Sequence, residues 1–162
     1  MVQVSFSNYE AQLVSASFDG TARLWDIRMG REVHSFSEHS GAVSTASFNF
    51  SSDSVLTTSF DKTARVWDTT TGNCIKVFAD SGGYLMDGCF NLTGSRVLTC
   101  SLDGCSRLYD LDTGSCEHVL EHDEGQRIIK STFDPSGDRI CTVSDQGVCS
   151  IFESKTGKLL QV

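Results

Sequence analysis

Apolar and polar residues alternate in short runs along this chain, the period-two pattern of half-buried β-strands. Residues 42–78 show it most clearly. Ala42–Phe48, Ser54–Ser59, Thr63–Asp68 and Asn73–Phe78 read as four strands, termed a to d, rich in Val, Thr, Ile and Phe. Turn-forming residues separate them: Ser51-Ser52-Asp53, then Asp61-Lys62, then Thr70-Thr71-Gly72-Asn73.

The unit returns every 42 residues. Ser17-Phe18-Asp19-Gly20-Thr21-Ala22-Arg23-Leu24-Trp25-Asp26 recurs as Ser59-Phe60-Asp61-Lys62-Thr63-Ala64-Arg65-Val66-Trp67-Asp68. A worn copy runs from Ser101 to Asp110, and a fourth, one residue late, from Ser144 to Glu153. Gly30, Gly72, Gly114 and Gly157 share one c–d hairpin place, where a positive φ is expected. A period of roughly 40–45 residues with a Trp-Asp dipeptide is the pattern of a four-stranded propeller blade, a unit that buries its apolar faces only by stacking on neighbours. The predicted fold class is all-β: a β-propeller of four-stranded antiparallel blades. Four blades are expected, at about 1–36, 37–78, 79–120 and 121–162, with Met1 aligned to Val43 and Val162 to the end of strand d. Left open, such an arc would expose flat apolar faces at both ends. Self-association is expected unless further blades complete a ring.

Charge removes several functions. Thirteen Lys and Arg stand against 21 Asp and Glu, a net charge of −8, and the basic residues are scattered singly. Nucleic acid is not the expected partner, because its phosphates call for clustered cations. No apolar run approaches the ~18 residues of a membrane span, and no apolar segment follows Met1 as in a secretory signal. The seven cysteines show no Cys-x-x-Cys spacing, and Cys74 and Cys116 hold the same place in successive repeats. They are expected to be reduced, structural cysteines of a cytoplasmic protein, with no metal and no cofactor. Asn49-Phe50-Ser51 and Asn91-Leu92-Thr93 fit the glycosylation sequon at one equivalent turn and are read as chance matches.

These repeats resemble the Trp-Asp (WD) repeat β-propeller family along the whole chain. The resemblance implies a ring of seven or eight blades, of which these would be part. It also implies a hydrogen-bonded tetrad in each blade: a His before strand a, a Ser or Thr in strand b, an Asp in the b–c turn and the strand-c Trp. Carried over, the second blade holds His39, Ser59, Asp61 and Trp67. The first holds Ser17, Asp19 and Trp25. The third keeps Ser101 and Asp103, with Tyr109 for Trp and Ser81 for His. The fourth offers His122 and Ser144, but Gln146 replaces Asp and Phe152 replaces Trp. Phe has no N–H, so that network cannot close. The stretches around Trp25-Asp26-Ile27-Arg28, Gly30-Arg31, Val33-His34 and Leu160-Gln161-Val162 are similar to a narrower group, WD-repeat factors that assist assembly of ciliary outer-arm dynein. That similarity implies a cytoplasmic protein that also reaches the cilium or flagellum.

Ser59, His39 and Asp61 could be taken for a hydrolase triad. A nucleophile needs exposure and oxyanion donors. Ser59 instead sits in a strand and recurs as Ser17 and Ser101, as structural parts do. A non-catalytic interaction scaffold is the expected function. A substrate-recognition subunit, for instance of a ubiquitin ligase, is the alternative binding role. Arg23, Arg65 and Arg107 each precede the strand-c aromatic by two and are read as lying against the blade.

The residue before each turn Asp carries more information. It is Phe18, Phe60 and Leu102, with Asp145 in the fourth repeat. The family resemblance places this position on the top face, beside residues flanking the start of strand a: Ala42 and Ser44, Tyr84 and Met86, Arg127 and Ile129. Together they predict an apolar, aromatic patch edged by Arg127 and Asp145 that takes protein or peptide partners.

Overall fold

The structure, a computed structural model, describes residues 3–8, 12–79, 82–122 and 125–162. Ser81 and Met1 lie outside the described residues. Among the described residues, the predicted alternation produces 16 strands in four antiparallel sheets, each ordered as its strands follow in the chain. The first sheet holds β1 (Gln3–Phe6), β2 (Gln12–Ala16), β3 (Ala22–Asp26) and β4 (Arg31–Phe36). The second holds β5 (Val43–Phe48), β6 (Ser54–Ser59), β7 (Ala64–Asp68) and β8 (Cys74–Phe78). β9 (Leu85–Phe90), β10 (Arg96–Ser101), β11 (Cys105–Asp110) and β12 (Cys116–Glu121) make the third. β13 (Ile128–Phe133), β14 (Arg139–Ser144), β15 (Cys149–Glu153) and β16 (Leu159–Gln161) make the fourth. The strand-a elements pack in series, β1 on β5, β5 on β9 and β9 on β13. These are propeller blades in an arc. Gly30, Gly72, Gly114 and Gly157 take the positive φ that their hairpins need, between 63° and 77°.

The core lies between sheets. One cluster joins Val14, Leu24 and Phe36 of the first sheet to Val43, Val55 and Trp67 of the second. The next joins Leu56, Val66 and Phe78 to Leu85, Val97 and Tyr109. A third joins Leu98, Leu108 and Leu120 to Ile140 and Phe152. One motif recurs in each: an apolar residue at or next to the end of strand d meets the strand-c aromatic of the following sheet. Phe36 stacks on Trp67 with ring centroids 4.9 Å apart, Phe78 tilts against Tyr109 at 4.5 Å, and Leu120 shares a cluster with Phe152. Each aromatic thus serves its neighbour's core as much as its own. An ion pair adds a tie between the inner strands, from the exposed Lys130 Nζ to the buried Asp87 Oδ1 at 3.0 Å.

The two end sheets have one face each without such cover among the described residues. On the first, Val4 and Phe6 are 37% and 68% exposed, and Trp25 is half-buried. On the fourth, Ile129 is 39% exposed and Cys149 is exposed. The late fourth repeat also corrects one alignment. Ile151 lies opposite Gln161, so Val162 takes the place of Val77, opposite strand c's Arg65, and not that of Phe78.

The same residue type should therefore differ in worth by position. Trp67→Ala is expected to cost ~3–5 kcal/mol, the usual range for emptying a buried aromatic site. Trp25→Ala should cost clearly less, because its ring is half in water. Urea unfolding of both variants measures this, and equal losses would contradict the inter-sheet role of Trp67.

Candidate functional site

A buried relay underlies the candidate face. The Trp67 indole N–H donates to Thr57 Oγ1 at 2.9 Å, and Thr57 Oγ1 lies 2.7 Å from His39 Nε2. His39 Nδ1 lies 2.8 Å from Asp61 Oδ2. A neutral imidazole satisfies all of it: Thr57 donates its hydroxyl proton to Nε2, and Nδ1–H donates to the carboxylate. Burial holds His39 below its ordinary pKa of 6.5, and outweighs the opposing pull of Asp61. Burial would raise the Asp61 carboxyl, but hydrogen bonds from Thr63 and His39 prevail and bring it down to about 2. Asp61 also accepts the Thr63 N–H and the Ser40 N–H, at 2.9 and 3.0 Å.

This corrects the sequence reading in the first, second and fourth sheets. The hydroxyl in the relay is Thr57 and not Ser59. The reason is register. Trp67 sits opposite Val55, and Thr57 is the diagonal neighbour within reach. Ser59 is four residues from Val55, roughly 13 Å along the strand. Ser59 Oγ instead donates to Gly41 O at 3.1 Å and accepts the Asp61 N–H at 3.0 Å, which ties the turn to the chain entering strand a. The same shift holds elsewhere. In the first sheet Trp25 donates to Ser15 Oγ at 2.9 Å, while Ser17 Oγ accepts the Asp19 N–H at 3.4 Å. In the fourth, His122 Nε2 meets Thr142 Oγ1 at 2.7 Å, while Ser144 Oγ accepts the Val148 N–H at 3.2 Å. Ser101 accepts the Asp103 N–H at 3.2 Å, and Tyr109 is buried against Phe78. The missed hydroxyls lie two residues before each Ser on the same strand face, a spacing visible in the sequence. Ser59 is fully buried and His39 turns to Thr57, so Ser59, His39 and Asp61 form no nucleophile–base–acid chain. The strand-c arginines are paired with acids: Arg23 with Asp19, Arg65 with Glu38, and Arg107 with Asp103.

The b–c turns are clamped to the residues just before strand a. Phe60 N–H donates to Ala42 O, Leu102 N–H to Tyr84 O, and Asp145 N–H to Arg127 O, at 2.9, 3.0 and 2.8 Å. Close approach explains Gly41 and Gly83, which sequence reasoning passed over. A Cβ on either would stand 2.7 Å from the backbone nitrogen of Asp61 or Asp103. The clamp brings the predicted face residues together. Phe18 and Phe60 have ring centroids 6.4 Å apart, and Phe60 and Tyr84 stack at 5.2 Å. Phe18 and Tyr84 remain 63% and 49% exposed. Beside this ladder, Tyr84, Leu102, Arg127 and Lys62 line one cavity.

Two predicted neighbours are placed otherwise. The ladder shifts register between Val43 and Thr45, between Leu85 and Asp87, and between Ile128 and Lys130. Ser44, Met86 and Ile129 are thus bulged residues, and a bulge re-aims its side chain. Ser44 is buried and donates across to Leu85 O of the next sheet. Ile129 holds the same bulge place in the fourth sheet and belongs to that sheet's uncovered face. Met86 is half-buried between.

The sequence model for WD domain, G-beta repeat matches residues 2–26, 30–68 and 72–110, more than half of the chain. The chain belongs to this WD-repeat family. Each matched segment from 30 onward starts before a strand d and ends with the strand c of the next sheet, the two elements whose aromatics meet across the interface. The fourth repeat, with Phe152 for Trp and Gln146 for Asp, lies outside the matched segments. WD repeats serve in general as protein-interaction scaffolds. None of the curated proteins matches the chain.

His39→Ala should cost ~1–3 kcal/mol, because Thr57 and Asp61 lose a buried partner. His122→Ala should cost less, since no indole completes its chain. The sign of the pH dependence follows from the lowered pKa of His39. The folded state prefers the neutral ring, so this stability is full above about pH 6.5 and is lost as pH falls below it. The melting-temperature gap between wild type and His39→Ala should narrow below pH 6.5. A gap that widens on acidification would contradict a neutral His39.

Proposed function

We propose that the chain is a non-catalytic scaffold that holds a partner protein on the face built from Phe18, Phe60, Tyr84 and Leu102. The ladder of three rings in contact, with Phe18 and Tyr84 exposed and Phe60 half-buried between them, supports this most: soluble proteins rarely leave such an aromatic cluster on a surface, and aromatics concentrate at interfaces. The clamped turns support it further, since a rigid face loses little entropy on binding. The partner in this reading is outer-arm dynein during its assembly, in the cytoplasm and the cilium. The similarity of the Trp25–Arg31 stretch and the Leu160–Val162 ending to WD-repeat dynein assembly factors supports that setting.

The test is retention of outer-arm dynein heavy chain from extracts of ciliated cells on immobilised wild type and on Phe60→Ala/Tyr84→Ala. Aromatic anchors commonly carry ~2 kcal/mol or more, so the double variant should retain at least tenfold less while keeping its circular dichroism. Equal retention with a native spectrum would overturn the face. Retention by neither protein would overturn the dynein setting.

A further inference from the structure

Beside the aromatic ladder, two cations and no carboxylate line a cavity of this acidic chain. The net charge is −8, yet a cavity of about 470 Å³ is lined by Lys62, Gly82, Gly83, Tyr84, Leu102 and Arg127. Among the described residues, the acids around it are already engaged. Asp61 accepts from His39, Thr63 and Ser40. Asp103 pairs with Arg107 at 2.9 Å and accepts the Gly82 N–H at 2.8 Å. Asp145 accepts the backbone N–H of Arg127 at 3.3 Å. Among the described residues, neither the Lys62 ammonium nor the Arg127 guanidinium lies within ion-pair distance of a carboxylate.

Lys62 stands out for a second reason. Its place in the b–c turn has φ 72°, and the equivalent residues Gly20, Gly104 and Gly147 have φ between 80° and 86°. Three repeats fill this left-handed position with the residue that adopts it freely, and only the second accepts strain to keep a side chain there. That side chain is a cation, and it opens onto the cavity.

Resting on the top-face reading above, we infer that the occupant is an extended partner segment with a carboxylate side chain, Asp or Glu, next to an apolar one. The apolar group packs on Phe60, Tyr84 and Leu102. The carboxylate enters the cavity between Lys62 and Arg127, where it gains both cations and displaces no internal pair.

The probe is a random nine-residue peptide library displayed on phage, selected on the full 162-residue chain. Wild type should enrich peptides with Asp or Glu within two residues of a large apolar residue. The synthetic consensus peptide should lose about tenfold in affinity when its acid becomes Gln, and a similar factor on Lys62→Gly/Arg127→Gln. Lys62→Gly installs the residue of the other repeats, so folding is kept. Enriched peptides without acids, or a consensus indifferent to the two cations, overturn the inference and leave the face intact. Selection of the same peptides on Phe60→Ala/Tyr84→Ala would instead overturn the face itself. A phosphoserine replacement that binds more tightly than Glu would assign the cavity to phosphate, and concentration-dependent sedimentation abolished by the cation variant would assign it to a second copy; both exclude the carboxylate.

Discussion

Thr57 Oγ1 takes the N–H of Trp67 on one side and gives its proton to His39 on the other, and much of the molecule hangs on that hydroxyl. Trp67 is the ring on which Phe36 of the preceding sheet stacks, and His39 sits in the chain that crosses between the two sheets. Asp61, at the far end of the relay, organises the turn that carries Phe60. One buried chain of hydrogen bonds therefore couples the core between two sheets to the shape of an external turn. Low dielectric makes such a network strong when complete and costly when a member is missing.

The repeats show what happens as members are lost. Where the indole becomes the Tyr109 ring, packing on the preceding Phe78 survives. In the fourth sheet Phe152 keeps an edge contact with His122, whose other nitrogen turns to Gly104 O because Gln146 stands in place of the turn Asp. Packing is the more durable half of the design, since any large ring fills the space, while the relay needs donors and acceptors in fixed places. The aromatic ladder is richest on the first three sheets, the ones the family model matches.

Most of the fold was legible in the sequence because the repeat states it several times over. Strand limits came out within a residue for 42–78, and the hairpin glycines marked themselves by recurrence. That Phe18, Phe60 and Tyr84 lie side by side was legible from their places in and beside the b–c turns. Errors arose where period two gives no answer. Thr57 and Ser59 point the same way from one strand, and only the pairing of Trp67 with Val55 selects Thr57. Bulges hid the direction of Ser44 and Ile129, because an extra residue reverses the alternation. Lys62 looked like an ordinary turn residue until its backbone conformation was known. Gly41 and Gly83 were visible as a pair 42 residues apart, but their close approach to the next turn belongs to tertiary structure.

The central claim is that the relay through Thr57 holds the turn that presents Phe60. Amide hydrogen exchange on Thr57→Val, an isosteric change that removes the hydroxyl alone, tests it most directly. Exchange should quicken at Ser40, Asp61 and Thr63, whose N–H groups are bound to Asp61 or Ser59, and should stay at the wild-type rate at Cys105 in the third sheet, whose N–H is held by Asp103. Equal acceleration at all four amides, or none at the first three, would contradict it.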